Sequence, residues 1–144
     1  MMALQSRPDE QRWLPGIASG ETIMAFAITE PDAGSNSHNI STTAKRDGDD
    51  WVINGTKTWI SNGIEGHCFA MLVKTDPQAE PRHKGMSLFI AEKGPGFVVS
   101  RKLQKLGYRG IDTCELQFDN YRVPADRLIG GVEGRGLQQV LSGL

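Results

Sequence analysis

Apolar and polar positions divide the chain into a short helical start, a long middle of short strands and a helical end. Asp9 to Leu14 predicts a brief helix: Ser6 and Asp9 make a loose capping box, and Pro15-Gly16 stops it. Met24 to Thr29 is a β-prone run that ends at Pro31-Asp32-Ala33-Gly34. Ile40 to Arg46 and Trp51 to Asn54 flank Asp47-Gly48-Asp49, a hairpin turn, and Asn54-Gly55 with Asn62-Gly63 bracket a further strand, Lys57 to Ile60. Phe69 to Lys74 and Met86 to Glu92 are apolar runs joined by the polar loop Thr75 to Lys84. Phe97 to Lys102 and Cys114 to Tyr121 complete the set, the latter alternating Cys114, Leu116, Phe118 against Glu115, Gln117, Asp119. Turns every 8–12 residues or so between roughly seven or eight short strands predict a mainly β domain, a sandwich or closed barrel with short flanking helices. At the end, Leu137, Val140, Leu141 and Leu144 follow i, i+3, i+4, i+7, one stripe of a helix. We expect that stripe to lack a partner within these 144 residues, which then read as a piece of something longer.

Composition narrows the function. Sixteen Lys and Arg against 17 Asp and Glu leave a net charge of −1, which argues against nucleic acid or an anionic membrane as the main partner. No apolar run approaches the ~20 residues of a membrane span, and the N-terminus lacks the apolar stretch of a secretion signal. The two cysteines, Cys68 and Cys114, form no CxxC, so a reduced, cytoplasmic protein is expected. His38, His67 and His83 have no metal-ligand spacing, and no metal is expected. There is no GxSxG, HExxH or P-loop lysine, and the glycines from Gly130 to Gly136 do not open a βαβ unit.

Three segments carry candidate chemistry. In Phe26 to Asn36 a strand runs through a proline turn into small residues, whose N–H groups can approach a ligand closely. An ordinary strand-ending turn capped by Ser and Asn would read the same way. In Lys57 to Gly63, alternation puts Lys57, Trp59 and Ser61 on one face, a stacking surface beside a hydroxyl; equally, Trp59 could be core and Ser61 part of the turn. Leu103 to Thr113 is polar and glycine-bearing, suited to contacts with a ligand or a neighbouring subunit or to a bulged connection, with Arg109 and Asp112 close enough to form a surface pair.

Four ordered motifs, which include most of these segments, resemble the middle β domain of the acyl-CoA dehydrogenase family: Ala25 to Ser35, Trp51 to Gly63, Leu106 to Thr113 and Phe118 to Pro124. The resemblance covers the chain from about Asp9 onward. Asn36 stands where the family commonly has Asp, and Ile111 where it commonly has Ser. It implies a remnant of an N-terminal helical domain at 1–20, the middle β-barrel domain at 21–131 and the start of a C-terminal helical domain at 132–144.

The implied activity is FAD-dependent α,β-dehydrogenation of an acyl-CoA thioester, with hydride passing to flavin N5, as in fatty acid metabolism. Phe26, Ile28 and Thr29 would line the flavin ring, and Thr29 would bind its pyrimidine edge. Gly34 and Ser35 would contact the flavin and the CoA arm, with Ser35 binding substrate. Trp59 and Ile60 would lie against the ring, and Ser61 would hydrogen-bond near N5. Hydroxyl and backbone donors there would stabilise the charge a reducing flavin gathers. The general base would come from the C-terminal helical domain, so no catalytic residue is assigned and the isolated chain is expected to be inactive. FAD binding by one wall of a two-walled cleft should be weak. An electron-transferring flavoprotein and a homo-oligomer are the expected partners. The alternatives are an acyl-CoA oxidase or another flavoprotein of the superfamily and, from a different class, a non-catalytic β-barrel binding or structural module.

Overall fold

The computed structural model describes residues 8–143. Ser6, half of the expected capping box, lies outside them. Pro8–Trp13 is a 3-10 helix that runs directly into α1, Leu14–Ser19. Pro15-Gly16 therefore does not stop the helix: proline at a helix start loses no hydrogen bond, and the end comes at Gly20, whose φ of 84° is the left-handed cap.

Seven strands form one curled sheet: β1 Met24–Ala27, β2 Thr43–Asp47, β3 Asp50–Ser61, β4 Cys68–Lys74, β5 Met86–Glu92, β6 Phe97–Lys102 and β7 Thr113–Pro124. Their order is β1-β4-β2-β3-β7-β6, and β5 pairs with β4. β1 runs parallel to β4, with Phe26 opposite Ala70, whereas β3 and β7 form the long antiparallel ladder. This mainly β architecture is the expected one.

β3 departs from expectation by being continuous through Asn54-Gly55. Instead of turning, the chain shifts register between Ile53 and Gly55. Gly55 takes φ 150°, and a Cβ there would lie 2.4 Å from Thr42 Oγ1, so the glycine permits close strand approach rather than reversal. A second irregularity falls between Lys57 and Ile60.

Two apolar layers follow from the strands. Every position of β4 from Cys68 to Val73 is buried. Phe69, Met71 and Val73 enter the barrel interior with Trp51, Ile53, Phe89, Leu116 and Phe118. Cys68, Ala70 and Leu72 face outward onto Trp13, Ile40, Leu88 and Ile90. A strand covered on both sides reads as an unbroken apolar run. By contrast, β6 is an exposed edge beyond Phe97.

The terminal stripe is partnered, contrary to expectation. α2, Gly136–Gly143, places Leu137 and Val140 in the outer apolar layer. It approaches so closely that a Cβ on Gly136 would sit 2.8 Å from Leu72 Cδ1. Leu141 remains exposed, and Leu144 lies outside the described residues. The stripe thus divides between the barrel and solvent. Among the described residues no helix is long and apolar enough to cross a membrane, and no group of three or more His, Cys, Asp or Glu could hold a metal ion.

Candidate functional site: an open face beside a buried ion pair

Beyond β1, Glu30 and Ala33 exchange backbone hydrogen bonds of 3.0 and 3.1 Å around Pro31-Asp32. Ala33 and, after a 3-10 turn at Ser37–Asn39, Ile40 are pegs in the outer apolar layer. Between the pegs, Gly34, Ser35 and Asn36 are exposed, and their backbone N–H groups donate to no acceptor among the described residues. Nothing lies within 4 Å of where a Gly34 Cβ would stand. The turn presents unused donors to the outside.

Its fixed geometry comes from Glu30. That carboxylate is buried and accepts from Ser41 N–H at 2.5 Å, Ser41 Oγ at 2.8 Å and Thr42 N–H at 3.1 Å. Lys57, 0 % exposed, donates to Glu30 Oε1 at 2.8 Å, to the Ile28 carbonyl at 3.0 Å and to the Leu72 carbonyl at 2.6 Å. All three ammonium hydrogens are thereby placed. Burial pulls the Lys57 pKa down to about 8, against the upward pull of Glu30. For Glu30, burial favours the neutral acid, but Lys57 and the donors from Thr42 and Ser41 outweigh it and hold the pKa below the ordinary 4.5.

One residue on, Thr58 N–H donates to the Thr29 carbonyl at 2.9 Å and ties the turn to the β3 irregularity. There Trp59 adopts φ 58° and is 61 % exposed. A bulky residue in left-handed backbone, with most of its surface in water, benefits the fold little. Exposed Phe26 lies on the strand leading to Thr29, so the Thr58–Thr29 bond joins the two segments that bear the exposed rings.

The structure sorts the expected residues. Phe26, Gly34, Ser35, Trp59 and Ser61 are exposed, and Ile28 and Thr29 are half-buried. Ile60 points into the barrel interior, so only its backbone could meet a ligand. Lys57 does not share a face with Trp59 and Ser61, because the irregularity breaks the alternation. Asp112 does not pair with Arg109: its carboxylate accepts from Ile64 N–H at 2.9 Å and Glu65 N–H at 3.2 Å, while Arg109 donates to the Lys105 carbonyl. The expected ligand residues thus lie mostly open to solvent, on β1, on the turn that follows it and on β3. A groove of about 740 Å³ lies elsewhere, lined by residues including His38, His83, Arg135 and Leu141.

Glu30, Lys57 and Asp112 acquire roles that local motif reading did not assign. The signal for the first two was a lone charge in each of two uncharged runs: Lys57 is the single charged residue from Trp51 to Ile64, and Glu30 from Thr22 to Pro31.

The middle-domain model of acyl-CoA dehydrogenase matches residues 25–121. The chain belongs to the acyl-CoA dehydrogenase family. It is 43% identical over 136 residues to mitochondrial isovaleryl-CoA dehydrogenase of Pongo abelii, covering 94% of this chain and 32% of that protein. It is 40% identical over 138 residues to (2S)-methylsuccinyl-CoA dehydrogenase of Cereibacter sphaeroides, covering 90% of this chain and 25% of that protein. The acyl-CoA dehydrogenase structure from Geobacillus kaustophilus superposes with a TM-score of 0.90 at 46% identity, covering 94% of this chain and 36% of that one. The chain therefore spans about a quarter to a third of the length of the relatives it matches.

Proposed function

We propose that this domain forms the flavin and thioester wall of an FAD-dependent acyl-CoA dehydrogenase. The observation that carries the reading is Trp59, held exposed in unfavourable backbone beside a turn with unused N–H donors. The residues present suit FAD: Phe26 and Trp59 offer apolar faces to a ring, while Thr29, Ser61 and the Gly34–Ser35 amides offer polar contacts to its edges and to a CoA arm. When bound, FAD supplies the hydride acceptor for oxidising the acyl chain. This chain's own part is to bind and orient: Trp59 covers a ring face, Ser61 and Thr29 donate toward its polar edge, and Ser35 holds substrate. The base that removes the α-proton belongs to the rest of the protein. The two cysteines are free and buried, in keeping with a reducing, cytoplasmic setting.

Titrating the chain with FAD while following tryptophan emission and flavin absorbance tests the reading. Saturable quenching that W59A abolishes is expected, with no acyl-CoA oxidation by the chain alone. Undiminished quenching in W59A, or turnover by the isolated chain, overturns it.

A further inference from the structure

We infer that Lys57 and Glu30 are positioning residues for the ligand-facing turn, setting the register of residues 28–36 against the strand that carries Trp59. The inference rests on the flavin reading for what the turn binds, but its geometric core does not.

Three observations carry it. The Lys57 ammonium, carried on β3, bridges two segments that are separate along the chain: the turn, through the Ile28 carbonyl and the Glu30 carboxylate, and β4, through the Leu72 carbonyl. Glu30 extends the same link to Ser41 and Thr42, closing the loop that displays Gly34 and Ser35. Among the described residues, the neighbouring Thr58–Thr29 bond is the only backbone–backbone hydrogen bond between this turn and β3, so the pair and that bond together locate Thr29 relative to Trp59. Direction matters as much as strength here. An apolar pair of equal volume could fill the same space without aiming anything, since buried ion pairs are often dispensable for stability itself.

The consequence is separable from folding. Replacing both charges in E30Q/K57M removes the bridge without leaving a buried lone charge. E30D keeps the charge pair but withdraws the carboxylate by one methylene. If the pair positions the turn, both variants unfold cooperatively, yet the Thr58 amide exchanges with solvent at least about tenfold faster relative to the Phe89 amide of β5 than in wild type. FAD affinity of the same 144-residue chain falls by about tenfold or more in E30Q/K57M, and by a smaller factor in E30D, because misplaced donors lose their hydrogen bonds. A purely structural pair would change Thr58 and Phe89 exchange in parallel and leave FAD affinity within about twofold in folded variants, and that result overturns the inference. Should E30Q/K57M fail to fold, E30D decides by the same two readouts. A wild-type chain that binds no FAD refutes the flavin reading and the ligand half of this one. The Thr58 exchange ratio still decides whether the pair fixes the turn.

Discussion

The turn at 28–36 and the loop at 103–112 are both polar, glycine-bearing segments, yet the barrel holds them in opposite ways. The first is anchored from beneath by a desolvated ion pair and pegged by Ala33 and Ile40. The second is held largely by its own bonds, Lys105 Nζ to the Ile111 carbonyl and Arg109 Nε to the Lys105 carbonyl, with Leu106 fully exposed. Its ties to the barrel are Leu103, whose N–H donates to the Thr113 carbonyl of β7, and Asp112, whose carboxylate takes the Ile64 and Glu65 amides and whose carbonyl accepts from Asn62 N–H. Bonds shielded from water cannot be exchanged for water without cost, whereas exposed ones can. The difference teaches where rigidity resides: the turn at 28–36 belongs to the core, and the other loop is a low-stability segment.

K57M should break that contrast most severely. It strands the Glu30 carboxylate in the interior, which costs on the order of 3–5 kcal/mol, measurable by urea denaturation at neutral pH. Acid reverses the comparison. In wild type the folded Glu30 pKa lies below 4.5, so its contribution is present above that value and lost as pH falls through the folded pKa. In K57M the carboxyl keeps its burial but loses its cation, and its folded pKa rises above the unfolded value. Stability is then greatest below the unfolded pKa and falls as pH rises through the folded one. Urea midpoints should therefore drop on acidification toward pH ~4 in wild type and recover there in K57M. Parallel acid limbs would show that Lys57 does not control Glu30.

D112A tests the other side. Two backbone amides lose a carboxylate at a half-exposed position where water can replace it, so roughly 1–2 kcal/mol should be lost. The excess hydrogen exchange should be confined to residues 62–65 and the loop 103–112. A loss as large as that of K57M would show that the two regions are not held differently.

Much of this arrangement was legible because burial leaves a periodic mark. β4 and β5 read as apolar runs, since both their faces are covered, and β7 reads as alternation from Cys114 to Phe118. What misled was glycine and register. Asn54-Gly55 has the chemistry of a hairpin turn, but the same freedom serves a close approach to Thr42. The strand's strict alternation fails at Lys57 to Ile60, which moves Lys57 inward while Trp59 stays out. The apolar stripe of α2 was correctly periodic, but periodicity cannot say what a stripe meets. At the site, the exposed residues lay in contiguous motifs. The pairing of Lys57 with Glu30, 27 residues apart, depends on how β1, β3 and β4 converge, which no local pattern encodes.

The smallest effect on stability belongs to the residue proposed to matter most for the ligand. A left-handed conformation costs an ordinary L-residue roughly 1–2 kcal/mol, and glycine adopts it freely but loses up to about 1 kcal/mol in chain entropy. Trp59 is mostly exposed, so W59G forfeits little burial. These terms nearly cancel: the urea midpoint of W59G should match or slightly exceed wild type, while saturable FAD quenching of the remaining tryptophans disappears. A clear loss of stability in W59G would instead make Trp59 part of what holds the turn, and would erase the distinction between the buried pair that positions this face and the exposed ring that uses it.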